Sequence, residues 1–157
     1  AALFKESFGW EISAKNIAIT AGGQTAFFFL FNALAGKFED GSRKKILLPL
    51  VPEYIGYSNQ SVGDDMFRAC KPLIHKIGDH DFKYGVDFDN LSVDDDVAAI
   101  CVSRPTNPTG NVLTDDEISR LIDLAEEHDI PLIIDNAYGA VLPSHALVCR
   151  ILNTMVH

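Results

Sequence analysis

Basic charge is scarce in this sequence: 13 lysines and arginines stand against 22 acidic residues, a formal net charge of −9. A nucleic-acid surface needs a basic patch facing the phosphates, so no nucleic-acid partner is expected. A small anionic ligand stays open, because a few backbone N–H groups hold a phosphate against an unfavourable net charge. Cysteine is scarce too. Cys70, Cys101 and Cys149 are widely spaced and form no C-x-x-C pair. That speaks against a disulfide framework or a zinc knuckle, and for a reduced, cytoplasmic protein. No run of 18 apolar residues occurs, so no membrane-spanning helix is expected. Lys5 and Glu6 precede any apolar run, unlike the layout of a secretory signal. No methionine opens the chain, which begins Ala1-Ala2-Leu3-Phe4, and a segment of a longer protein is the expectation. Recognisable metal motifs are missing as well. Asp79-His80-Asp81 and Asp94-Asp95-Asp96 have neither EF-hand nor zinc spacing and read as solvated acidic loops. His75, His128 and His145 have no nucleophile partner, and no G-x-S-x-G occurs.

What is present is the composition of one globular domain: 157 residues, 47% hydrophobic and 22% charged. Strand-like and helical segments alternate. Residues 16–20 (NIAIT) predict a first strand, and the Phe- and Leu-rich run 25–35 a buried helix. Residues 46–50 predict a second strand closed by Pro52, residues 73–77 a third, and residues 98–103 (AAICVS) a fourth. Thr114 and Glu117 fit a capping box, with Ile118, Leu121, Ile122 and Ala125 on one helical face behind it. Residues 131–135 (PLIID) predict a fifth strand, covered on both faces. The acidic stretch 79–96 is the expected place for an excursion or hairpin. Strands separated by helices predict an α/β domain with a mainly parallel sheet.

In such sheets, ligands bind beyond the carboxyl ends of the strands. Four segments qualify. Gly22, Gly23 and Gln24 lead from the first strand into a helix, whose N–H groups and dipole suit a phosphate, although two glycines also make a plain tight turn. Tyr54 follows the second strand and offers an aromatic face, or simply packing area. Arg104-Pro105-Thr106-Asn107-Pro108-Thr109-Gly110 follows the fourth strand. Its prolines stiffen the loop and Pro108 restricts Asn107, so the Asn107 amide is presented at a set angle, or the loop is structural. Asp135, after Leu-Ile-Ile, needs a partner because it is partly desolvated; a helix N-cap and a cationic ligand group both suit it. Tyr138 lies just beyond.

Taken together, these segments resemble the fold-type I (class I/II) pyridoxal-phosphate-dependent aminotransferases, from about Ile17 to Ala140. Asn107-Pro108-Thr109-Gly110 with Asp135 and Tyr138 is the most specific part. The resemblance divides the chain into a lead-in at 1–15, part of the cofactor-binding large domain at 16–140, and a tail at 141–157 without family likeness. It implies that Gly22, Gly23 and Gln24 cradle the phosphate of pyridoxal 5'-phosphate and that Tyr54 stacks on its ring. Asn107 and Tyr138 would reach the phenolic oxygen, and Asp135 would pair with the pyridine nitrogen. It also implies an amino-group transfer between a small apolar amino acid of the valine or alanine type and a 2-oxo acid such as pyruvate, in a cytoplasmic homodimer.

One expected residue is missing. The resemblance places a Schiff-base lysine in a serine-rich motif well after Tyr138, yet all eight lysines lie at or before Lys83. No catalytic residue is therefore assigned, and the chain as given is expected to be inactive. Two rivals remain. A nucleotide- or dinucleotide-binding domain would use Gly22-Gly23 and Glu53, though the glycines do not spell G-x-G-x-x-G. A truncated, non-catalytic relative is the other.

Overall fold

The protein is described by a computed structural model over residues 1–139. The tail at 141–157 lies outside the described residues. In chain order the elements are α1 (Ala2–Phe8), α2 (Gly23–Leu34), β1 (Gly36–Lys37) and β2 (Arg43–Leu48). They continue with β3 (Phe67–Ala69), β4 (Leu73–Ile77), β5 (Asp81–Gly85), β6 (Val97–Ser103), α3 (Asp115–Glu127) and β7 (Leu132–Asp135). Short 3-10 helices cover Ala14–Asn16 and Ile55–Gln60.

The apolar run of β6 makes it the centre of the sheet. It pairs in parallel with β2 on one side and β7 on the other. β3 lies parallel along the far edge of β2, whose start pairs antiparallel with the two-residue β1. Side chains alternate across the pleat and feed two cores. Ile46, Leu48, Ala99 and Cys101 pack with Phe31 and Tyr57 on one face. Leu47, Ile100 and Val102 pack with Ile118, Leu121 and Ala125 of α3 on the other. The domain is therefore α/β with a mainly parallel sheet, as the alternation of segments predicts.

The capping box at α3 is present in full. Thr114 Oγ1 accepts from the Glu117 N–H at 3.1 Å, and Glu117 Oε2 accepts from the Thr114 N–H at 2.7 Å. Glu117 Oε1 also takes the Val86 N–H at 3.0 Å, tying the helix start to the loop after β5. Thr114→Ala is expected to lower folding stability by about 1 kcal/mol, the usual loss for such a cap. Denaturant unfolding with an unchanged m-value checks it.

Several expectations need correction. Residues 16–20 form no strand: Asn16 ends a 3-10 helix, no neighbour pairs with 17–20 among the described residues, and Ile19 is 93% exposed. The predicted buried helix exists as α2 but buries one side only, where Phe31 enters the core while Phe28, Phe29 and Leu30 stay exposed. Residues 73–77 are a strand that does not join the parallel sheet; β4 pairs antiparallel with β5 as a separate hairpin. Strand β7 is half-buried rather than covered on both faces. Asp94 and Asp96 pair with Arg68, at 2.6 and 3.4 Å. Among the described residues, no helix is long and apolar enough to cross a membrane.

Candidate functional site

Because β2, β6 and β7 run the same way, their carboxyl ends fall at one edge of the sheet, and the loops that follow them converge there. A cavity of about 260 Å³ opens at that edge, lined by Gly23, Gln24, Tyr54, Asn107, Asp135 and Tyr138. These are six of the seven residues singled out from the sequence. Gly22 does not line it, although it shapes it: Gly22 is the N-cap of α2, with φ +118, and a Cβ there or at Gly23 would meet nothing within 4 Å. No side chain caps α2, so its first N–H groups face open space where an anion can approach.

Asp135 ends β7 with both carboxylate oxygens engaged. Oδ1 accepts from the Ala137 N–H at 3.0 Å, and Oδ2 from the Tyr57 hydroxyl at 2.9 Å. Each oxygen keeps a second lone pair, so the carboxylate is oriented and still able to accept from a cationic N–H. Burial pushes the Tyr57 phenol far above its usual range, and the neighbouring Cys101, Asp135 and Glu53 add to it. Tyr57 therefore stays a donor. Its ring is 2% exposed and held by Phe27 and Phe31, with centroids 5.1 and 5.4 Å away.

Tyr54 stands edge-on to Tyr57 at 5.5 Å, and its hydroxyl accepts from Gln24 Nε2 at 3.3 Å. The Gln24 side chain is thus spent on positioning an aromatic ring, while its backbone N–H belongs to the first turn of α2. Gly56 makes room for that ring, since a Cβ there would come within 2.4 Å of Tyr54 Cε1. Across the cavity, Asn107 Nδ2 donates to the Tyr138 hydroxyl at 3.4 Å. The Asn107 loop is closed by Thr106, whose N–H donates to Asn111 O at 2.8 Å and whose hydroxyl donates to Ser103 O at 2.9 Å.

Tyr57 and Gly56 escape a reading of the sequence alone, and Glu53 enters it only through the rival dinucleotide-binding reading. Tyr57 and Glu53 act on partners 78 and 50 residues away. The only local trace is the density of the segment Pro52-Glu53-Tyr54-Ile55-Gly56-Tyr57 in aromatic and turn residues. Tyr57→Phe removes one bond to a charged acceptor, so ligand affinity in the complete protein is expected to fall by roughly tenfold with the fold intact. Isothermal titration beside a thermal melt checks both halves.

The model of the family described as aminotransferase class I and II matches residues 69–156, more than half of the chain. The valine–pyruvate aminotransferase of Escherichia coli K12 is 51% identical over 143 residues, covering 91% of this chain and 34% of the relative. The crystal structure of valine-pyruvate aminotransferase from Salmonella typhimurium LT2 superposes with a TM-score of 0.78 at 52% identity, over 88% of this chain and 33% of that one. Cystalysin from Treponema denticola, whose structure contains pyridoxal 5'-phosphate, shares the fold at 23% identity and a TM-score of 0.68, over 85% of this chain and 32% of its own. The chain thus spans about a third of the length of the relatives it matches. A parallel sheet with its strand ends gathered round one cavity, and a family match over more than half the sequence, place the chain in the class I and II aminotransferase family.

Proposed function

We propose that the cavity is the pyridoxal 5'-phosphate site of an aminotransferase and that residues 16–140 form part of its large domain. The observation that supports this best is the convergence of Asp135, Tyr54, the Asn107–Tyr138 pair and the open start of α2 on one cavity. The donor set fits the cofactor's three polar ends. An uncapped helix N-terminus behind two glycines suits a phosphate. Two donors, the Asn107 amide and the Tyr138 hydroxyl, suit a phenolate. A carboxylate fixed by Tyr57 and the Ala137 N–H suits a protonated ring nitrogen.

When bound, the cofactor supplies an electron sink for the amino acid whose α-proton must leave. The chain's own residues set how well that sink works. Asp135 would hold a proton on the ring nitrogen, because a neighbouring negative charge favours the cationic form. Tyr54 would cover one face of the ring and exclude water from it, with Gln24 bonding the Tyr54 hydroxyl to steady it there. Asn107 and Tyr138 hold the phenolic side in register.

The 51% identity to a valine–pyruvate aminotransferase supports a small apolar amino acid and a 2-oxo acid such as pyruvate as the substrates of the whole protein. A cytoplasmic homodimer is part of the same proposal. Phe29, Ile55 and Val62 present apolar area that a second copy would cover.

The test is an absorbance and circular-dichroism titration of the complete protein with pyridoxal phosphate, run beside NAD. A saturable band with pyridoxal phosphate and none with NAD is the expected result. Binding of NAD alone would move the cavity to the dinucleotide class.

A further inference from the structure

Glu53 is the one acid buried among the described residues, 9% exposed, and no step above uses it. A carboxylate withdrawn from water is costly unless donors surround it. Glu53 has three. Oε1 accepts from the Ser103 N–H at 2.8 Å, and Oε2 accepts from the Ser103 hydroxyl at 2.6 Å and the Tyr54 N–H at 3.0 Å. Ser103 is the last residue of β6 and lies opposite Asp135 in the β6–β7 register. The next N–H, of Arg104, donates to Asp135 O at 2.9 Å. One side chain therefore sits where the segments bearing Tyr54, Asn107 and Asp135 meet.

We propose that Glu53 is a positioning residue for the cofactor ring, its carboxylate locking the Tyr54 backbone to the end of β6. The aromatic plate over the ring and the carboxylate at its nitrogen then hold their spacing before the ligand arrives. This rests on the reading of the cavity as a pyridoxal phosphate site.

Packing does not account for an acid here. Burial raises the proton affinity of Glu53, the bonds from Ser103 and Tyr54 oppose it, Asp135 adds to it, and the net shift is upward. Tyr57 and Cys101 are the other titratable groups in the same cluster. An acid whose folded value lies above its unfolded one contributes stability below the unfolded value, about 4.3, and loses it as pH rises through the folded value. Ionising Glu53 thus costs the fold something, while its three hydrogen bonds organise the site.

The experiment uses the complete enzyme with Glu53→Gln, Ser103→Ala, the double variant and Asp135→Asn. It reads the Kd of the apoenzyme for pyridoxal phosphate and the visible circular dichroism of the bound cofactor, which reports how the ring is seated. Glu53→Gln and Ser103→Ala should each weaken binding, the former by roughly tenfold, because each removes a bond to a charged group. The double variant should be no worse than Glu53→Gln alone, since both delete the same link. Unchanged affinity and dichroism in Glu53→Gln, with Asp135→Asn still altered, would overturn the inference alone. Full additivity in the double variant would overturn it too. Silence in Asp135→Asn as well would bring down the cofactor reading itself. Should Glu53→Gln fail to fold, Ser103→Ala decides, as it removes a single hydroxyl.

Discussion

Replacing Asp135 by asparagine in the complete enzyme is expected to lower kcat for transamination by on the order of 10²–10³-fold, the scale of losing one preorganised electrostatic contact at the reacting group. The amide is nearly isosteric, and its oxygen can still accept from Tyr57 or from the Ala137 N–H. On the proposed reading it lacks the negative charge that would favour a cationic ring nitrogen when the α-proton must leave. Cofactor affinity should fall less than turnover, because Tyr54, the Asn107–Tyr138 pair and the start of α2 are untouched. Steady-state kinetics with valine and pyruvate, beside a cofactor titration, separate the two. Wild-type turnover in the variant would make Asp135 a structural residue.

The second expectation concerns the 157-residue chain itself, which should not transaminate. Its eight lysines end at Lys83, and none lines the cavity. Four are engaged elsewhere: Lys5 with Glu11, Lys45 with Asp65, Lys83 with Glu117, and Lys44 with the Asp95 carbonyl. Without a positioned amine there is no group to hold the cofactor covalently or to carry the proton, a role that commonly contributes roughly 10²–10⁴-fold in rate. The half-buried residues of β7 add a second difficulty, since apolar area at a sheet edge favours association over function. Incubation with pyridoxal phosphate, borohydride reduction and intact-mass analysis should find no cofactor fixed on one defined lysine. Valine plus pyruvate should yield no alanine. Labelling of a single lysine together with alanine formation would contradict this.

How much was legible in the sequence depended on how local the cause is. The capping box at Thr114 and Glu117 is a pattern four residues long and was readable. So were β6 and β7 as strands, because apolar runs of that length fit a parallel sheet, although β7 is half-buried where full cover was expected. The strand at residues 73–77 was readable as a strand but not as half of a hairpin, since pairing with β5 or with the main sheet leaves the same local pattern. Residues 17–20 have the composition of a strand, yet a strand needs a neighbour for its N–H and C=O groups. β3, three residues long, carries no periodicity to read. The site divides in the same way. Gly23, Tyr54, Asn107, Asp135 and Tyr138 follow apolar segments or sit in a motif. Glu53 and Tyr57 acquire their meaning only through Ser103 and Asp135, which chain distance hides.

The most direct test of the site is a crystal structure of the complete protein with pyridoxal 5'-phosphate bound. The account predicts the ring nitrogen within hydrogen-bond distance of Asp135, the phenolic oxygen at Asn107 and Tyr138, the Tyr54 ring stacked on the pyridine, and the phosphate at the start of α2. A cofactor seated elsewhere, or turned so that its phosphate meets Asp135, would contradict it.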